Sequence, residues 1–264
     1  MIPNVQSALN AIVGNVAVLD HASGAGRIFE LFVMTGIGRR LQSKGFTVWL
    51  QRSDGTLILD SDPDRRFIQR GGAPTGIAAA SQGPDNASVI GFRWRRRPAW
   101  EIWNGIQFGG RSGATHEIDI SIVPAGVGNT LRTTGGGAPV GRPRVAIECK
   151  DVGANGSLDE ARAFIARLYD VTLLNAHHKH MHFTQPRAIH PGSPSESKYR
   201  AIVTYWQENR RTKNIIARRT GFAGGTALLM EYHRIEPHGD IVVGNSNVDE
   251  LFEAVADWAY RHAR

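Results

Sequence analysis

Two short acidic stretches carry the residues best suited to chemistry: His116, Glu117, Ile118 and Asp119 in the first, and Ile147, Glu148, Cys149 and Lys150 in the second. From Ala114 to Val123 the apolar Ile118 and Ile120 alternate with Glu117, Asp119 and Ser121. Successive side chains of a strand point to opposite faces, so the alternation predicts two carboxylates on one strand face. From Val145 to Val152, Glu148 and Lys150 are again two apart and point the same way. Two such strands side by side would bring three acids and an amine to one place. Carboxylates gathered in this way repel one another unless a hard cation neutralises them, and Mg²⁺ favours oxygen ligands while keeping several waters and substrate phosphate oxygens. A lysine beside such a centre can orient or deprotonate an attacking water and balance charge on the phosphate. The plain alternative is a polar strand face that meets water; the apolar character of the opposite faces argues against exposed edges.

Several elements would have to position these strands. Residues 4–19 have Val5, Leu9, Ile12, Val13, Val16 and Leu19 at helical spacing, followed by a Gly-containing break. Residues 46–60 read as two strands around an Asp54-Gly55 turn, and residues 61–86, rich in Gly, Pro, Ser, Ala and Asp, read as a loop. A strand around residues 88–94 leads into an arginine run. Residues 99–111 should form a strand that hairpins into the first acidic strand, because Gly109, Gly110 and Gly113 punctuate the connection. Residues 126–144, between the two acidic strands, read as a flexible loop. Toward the C-terminus, residues 227–237 and 240–245 look like strands. Residues 248–264 form an amphipathic helix with Asp249 and Glu250 at its start and Arg261, His262 and Arg264 at its end, matching the helix dipole.

Asp119 followed by Glu148, Cys149 and Lys150 resembles the signature of the PD-(D/E)XK, or restriction-endonuclease-like, nuclease superfamily, and the Gly109 to Asp119 approach is similar to the strand entry of its restriction-like members. Ile118 stands where the signature commonly begins with proline. The resemblance covers roughly residues 26–230, although only the motif residues are specific. It implies an α/β fold with a restriction-endonuclease-like core, a central mixed β-sheet flanked by helices, built in the order α-β-β-β-α-β. Residues 26–46 would be the helix before the sheet, 158–174 the helix after the second acidic strand, 199–206 the next strand and 208–222 the closing helix. Residues 1–25 would be an N-terminal helical extension of a nuclease-like domain over 26–264. The resemblance further implies a metal-dependent endonuclease acting on DNA in restriction or phage defence. Asp119 and Glu148 would hold Mg²⁺, or Mn²⁺ in its place, with the main-chain carbonyl of Cys149; Lys150 would assist the water. Glu30 would be an outer-shell or second-metal acid, or else an ordinary helix glutamate among Ile28, Phe29, Leu31 and Phe32. Glu117 is either a second ligand or base, or a salt-bridge partner of Arg111 or Lys150. The rival readings are a non-catalytic nucleic-acid-binding module of a defence or repair complex, and an RNA endonuclease.

Composition sets the bounds. The chain has 264 residues, 41% hydrophobic and 21% charged, as expected for a protein able to bury one sizeable core. With 31 Lys and Arg against 24 Asp and Glu, its formal charge of +7 favours a polyanionic partner such as DNA. Arg93, Arg95, Arg96 and Arg97, interleaved with Trp94, can bind phosphates and stack on bases; the alternative is a solvated turn with core tryptophans. Arg111, Ser112 and His116 either position a phosphate or form a tight hairpin. Arg210, Arg211, Lys213, Arg218 and Arg219, expected on a helix, would either add backbone contacts or form a solvated face. The stretch with His177, His178, His180 and His182 lacks nearby cysteines and the zinc-protease spacing, so zinc is not expected there. Cys149, the single cysteine, should face the core opposite Glu148 and Lys150, and a reducing cytoplasm suits it. No apolar run approaches membrane-spanning length, so no membrane partner is expected. A homodimer and a defence-system partner protein are the expected assemblies.

Overall fold

The structure, a computed structural model, describes residues 1–14, 18–21, 24–52, 55–63, 65–69, 87–110, 112–133, 143–171 and 212–264. In chain order these form α1 (Ile2–Val13), β1 (Val18–His21), α2 (Ala25–Ser43), β2 (Thr47–Arg52), β3 (Arg66–Gln69), β4 (Ser88–Arg93), β5 (Trp100–Gly109) and β6 (Thr115–Pro124). Then follow α3 (Ala125–Thr133), β7 (Val145–Lys150), α4 (Leu158–Val171), β8 (Lys213–Arg218), α5 (Gly224–Tyr232), β9 (Ile235–His238) and α6 (Ser246–His262).

Seven strands make one mixed sheet in the order β2-β4-β5-β6-β7-β8-β9, and β1 pairs in parallel with β3 apart from it. The neighbours from β2 through β7 are antiparallel, whereas β7, β8 and β9 run parallel. Helices cover both faces, giving three layers. On one face Val145, Ile147, Cys149, Ile215 and Ala217 pack with α1, α2 and α6; on the other Ala146 and Ile216 pack with Phe164, Leu168 and Met230 of α4 and α5. Helix α2 buries Phe29, Leu31, Phe32, Val33, Met34, Ile37 and Leu41, so its apolar residues run nearly all round it. Such a helix is stable only when enclosed, and α2 lies between the sheet, α1 and α6. Gly36 lets the ring of Phe252 on α6 come close, since a Cβ there would lie 2.0 Å from its Cζ. Val5, Leu9 and Ile12 of α1 join the same core. Helix α6 is as expected: its N-cap Asn245 accepts from the Asn247 amide, and Asp249 and Arg261 occupy its first and last turns.

The structure revises several expectations. The first helix stops at Val13, and Val18 to His21 form a strand instead. In the second half of the 46–60 hairpin, Leu57 makes only an isolated bridge to Gln51; residues 53 and 54 lie outside the described residues. Arg66–Gln69 are a strand within the expected loop, and Ala125–Thr133 a helix within the other. The expected helix over 208–222 is overturned: Lys213–Arg218 is strand β8, parallel to β7, because Ile215 and Ile216 serve cores on opposite faces of the sheet. Arg218 is therefore a wholly buried residue paired with Glu160, not a solvated helix cation, and Arg219 pairs with Asp151 at 2.9 Å. Residues 227–237 split into helix α5 and strand β9, turning at Arg234 with φ +54°. Residues 240–245 are not a strand. Residues 199–206, the His177–His182 stretch, Arg111, Arg210 and Arg211 lie outside the described residues.

Candidate carboxylate site

Strands β6 and β7 are paired only where Ile120, Ser121 and Ile122 face Ile147, Ala146 and Val145. The next position in that register would set Asp119 opposite Glu148, and there the ladder ends. Asp119 occupies the opening with its side chain: its Oδ2 accepts the Cys149 amide proton at 2.7 Å. On its other side β6 pairs with β5 at every position from Thr115 to Pro124 except Asp119, whose counterpart Gly105 has φ +63°. A positive φ is available to glycine at little steric cost. The alternation of β6 breaks at this point, for Ile118 packs in the α4-side core while Ile120 packs in the α2-side core. Sequence periodicity put Glu117, Asp119 and Ser121 on one face. The structure corrects this: Asp119 sits at a change of face.

That irregularity spreads the acidic residues around one strand opening. Glu148 and Lys150 lie opposite the buried Cys149, as alternation predicts. Glu148 is 2% exposed; its Oε1 takes Lys150 Nζ at 2.5 Å and Arg167 Nη2 of α4 at 2.6 Å. Its Oε2 is buried and has no hydrogen-bond partner among the described residues. Arg167 also donates to the carbonyl of Glu117 at 3.2 Å and so ties α4 across both strands. The Glu117 side chain turns to the other layer, with Oε1 3.7 Å from Arg27 of α2, so among the described residues its ion-pair partner is Arg27 and not Lys150. Glu30 is buried behind the site and accepts from Asn104 Nδ2 at 2.7 Å and from Arg27 at 3.0 Å. The same Asn104 amide donates to the Asp119 carbonyl at 2.9 Å, while Gln69 donates to Asn104 Oδ1 at 3.0 Å.

Burial governs the protonation of this cluster. Desolvation, the neighbouring charge of Glu148 and the more distant Glu30 push Asp119 up to about 7, although the Cys149 amide and Lys150 oppose them. Desolvation also raises Glu30, partly offset by Asn104 and Arg27. For Lys150 desolvation favours the neutral amine, but the charge and hydrogen bond of Glu148, together with Asp119, outweigh it and raise its pKa. Lys150 therefore remains an ammonium at neutral pH. The Cys149 thiol is raised well above its usual value by burial and the nearby acids, which suits a core residue and not a nucleophile.

Among the described residues no three His, Cys, Asp or Glu side chains form a metal-holding group. What the site offers is two carboxylates and a main-chain carbonyl. A bound cation would pair with the orphaned Oε2 of Glu148 and oppose the desolvation and the Glu148 repulsion that raise Asp119, and Mg²⁺ commonly takes only one or two protein carboxylates, filling its other positions with water and phosphate. The residues present fit that ion.

The remaining expected binding residues divide. Ser112 and His116 are held by Asp170 of α4: the Ser112 amide donates to it at 2.8 Å, its hydroxyl at 2.5 Å, and His116 Nε2 lies 2.7 Å away. Against some desolvation, these bonds lower Asp170 to about 2. The hairpin tip is thus fastened to α4, and Gly110 is required there because a Cβ would lie 1.9 Å from Asp170 Oδ2. Arg93 lies against Trp49, 5.8 Å from the ring centroid, and Arg95, Arg96 and Arg97 form the β4–β5 turn, remote from Asp119. Sequence reading missed Asn104, Arg167, Arg27 and Gln69. Asn104 and Arg167 each left a signal, a polar residue inside an apolar strand or helix pattern.

The chain matches no protein-family model, no curated protein and no solved structure. No helix among the described residues is long and apolar enough to cross a membrane. The class defined is an α/β protein with a seven-stranded mixed sheet between helices.

Proposed function

We propose that the protein is a metal-dependent phosphodiester hydrolase acting on DNA, of the restriction-endonuclease-like kind, serving restriction or phage defence. The observation that carries this reading is the meeting of Asp119, Glu148 and Lys150 at the opening between β6 and β7, with one Glu148 oxygen buried and without a partner among the described residues. With the intervening β2, β3, β4 and α3 set aside, α2, the antiparallel β5-β6-β7, α4 and the parallel β8 follow one another in the α-β-β-β-α-β order that the resemblance implies, which supports the reading.

Asp119, Glu148 and the Cys149 carbonyl would hold Mg²⁺. Bound there, the ion supplies Lewis-acid charge at a phosphate oxygen and acidifies a water. Lys150, cationic at neutral pH, orients that water and stabilises negative charge gathering on the phosphate; it does not remove the proton. Arg167 is a positioning residue that fixes Glu148 from α4. Glu30 acts at one remove, through Asn104, on the backbone of Asp119.

The test is cleavage of supercoiled plasmid, linear duplex and single-stranded DNA with Mg²⁺ or Mn²⁺, beside EDTA and the Lys150→Ala protein. Metal-dependent cutting that disappears in the variant is expected. Wild-type protein that binds DNA but leaves every substrate intact, or a Lys150→Ala protein of full activity, overturns the proposal; cutting confined to an RNA substrate transfers it to RNA.

A further inference from the structure

The turn between β4 and β5 builds a second charged feature of a different kind. Trp94, Arg95, Arg96, Arg97, Tyr260 and Arg264 line an open recess of about 800 Å³. Its walls are fixed. The Arg97 amide donates to the Trp94 carbonyl at 2.9 Å to close the turn, and Arg95 is held at φ +50°. Trp94 meets Phe46 edge-on at 5.1 Å and Tyr260 of α6 at 5.5 Å, which secures the turn to the end of the last helix. The guanidinium of Arg95 lies 5.5 Å from the Trp94 ring centroid and that of Arg264 4.3 Å from the Tyr260 centroid. These ring faces are occupied by arginines, so the aromatics hold the cations and do not present a free platform to a base.

Among the described residues the four arginines have no acidic side chain as a partner. Elsewhere Arg27, Arg40, Arg52, Arg167, Arg218 and Arg219 each pair with a carboxylate. Among the described residues no carboxylate pairs with Arg95, Arg96, Arg97 or Arg264, and no acidic side chain lines the recess. Four like charges in one concavity repel one another unless an anion enters. Guanidinium groups oriented by ring faces are suited to phosphate oxygens, because less side-chain freedom is lost on binding.

The recess is also separate from the carboxylate site. Trp100, just after the turn, pairs with Pro124, and Asp119 lies five residues back along β6, ~17 Å at about 3.3 Å per residue. We propose that this recess is a binding site for the phosphodiester backbone of a nucleic acid, distinct from the carboxylate site and built jointly by the β4–β5 turn and the end of α6. It shares with the hydrolase reading only its polyanionic partner. Because the recess lies beyond Trp100, a strand reaching both places spans at least about five nucleotide steps at ~3.4 Å each.

The experiment is fluorescence anisotropy of a labelled duplex of about 20 base pairs in EDTA across a salt series, with wild-type protein, the Arg96→Gln/Arg97→Gln/Arg264→Gln triple variant and Asp119→Asn. Circular dichroism and Tm check the fold. The triple variant should bind about tenfold or more weakly, with the slope of log affinity against log salt reduced by roughly two to three, since each lost phosphate contact removes about 0.9. Asp119→Asn should retain the wild-type slope even with cleavage abolished, so failure of the hydrolase reading and failure of this one give different results. A folded triple variant with wild-type affinity and slope overturns the proposal. So does competition by inorganic phosphate as effective as that by duplex at equal phosphate concentration, which would mark a free-anion site.

Discussion

The carboxylate opening and the arginine recess hold charge in opposite ways. At the first, acids are buried, crowded and partly neutralised by Lys150 and Arg167; at the second, arginines are gathered in an open concavity that no acidic side chain among the described residues lines. Burial turns charge into altered protonation and stored instability, which a bound cation would relieve. Exposure leaves charge available for salt-sensitive association at little cost to the fold. One region should therefore be sensitive to pH and metal, and the other to ionic strength.

The largest effect that would sharpen this contrast is on catalysis. Lys150→Ala and Asp119→Ala should each lower plasmid cleavage by about two to four orders of magnitude with DNA binding retained; loss of binding instead of turnover, measured by anisotropy, would merge the two regions. Next is stability against pH. In the folded protein Asp119 titrates near 7, against the ordinary 3.8, so between these values the folded state holds the extra proton. Raising pH from 4 to 7 therefore destabilises the wild type, by about 2–4 kcal/mol, and the last part of the loss, about 0.4 kcal/mol, follows as pH passes through 7 toward 8. Urea melts of Asp119→Asn should show that slope removed and greater stability than wild type at pH 8; an unchanged slope would mean that Asp119 is not the strained acid.

Asn104→Ala should cost about 1–3 kcal/mol, because it leaves Glu30 and the Asp119 carbonyl short of a donor in a buried place. Denaturant melts and cleavage rates should fall together. The smallest effect belongs to the recess: Arg96→Gln/Arg97→Gln/Arg264→Gln should leave stability within about 0.5 kcal/mol of wild type at every pH. A large Tm loss in that variant would show the arginines to be part of the fold and would remove the contrast.

Legibility followed the range of the interactions concerned. The acidic strands, the β5–β6 hairpin, α2 and α6 were readable because period and turn chemistry are local. Strand β8 was misread, since its charged flanks and short apolar run fit either element and only pairing with β7 decides. Helix α5 was misread for the same reason: residues 227–230 are an apolar run that fits either spacing, and packing on α4 is what selects the helix.

At the site, the sequence by itself determined which residue types were present: an acid on one strand, and Glu148 and Lys150 on one face of another with Cys149 turned inward. The tertiary structure alone decided that β6 changes face at Asp119 opposite Gly105, that Arg167 reaches across from α4, and that Asn104 links Glu30 to the site. It likewise decided that Arg264 and Tyr260, far along the chain, complete the recess begun by Arg95 to Arg97. The division has a physical cause. Side-chain alternation is fixed by the backbone of a single strand, whereas desolvation, unpaired buried oxygens and uncompensated charge depend on what other segments bring alongside it.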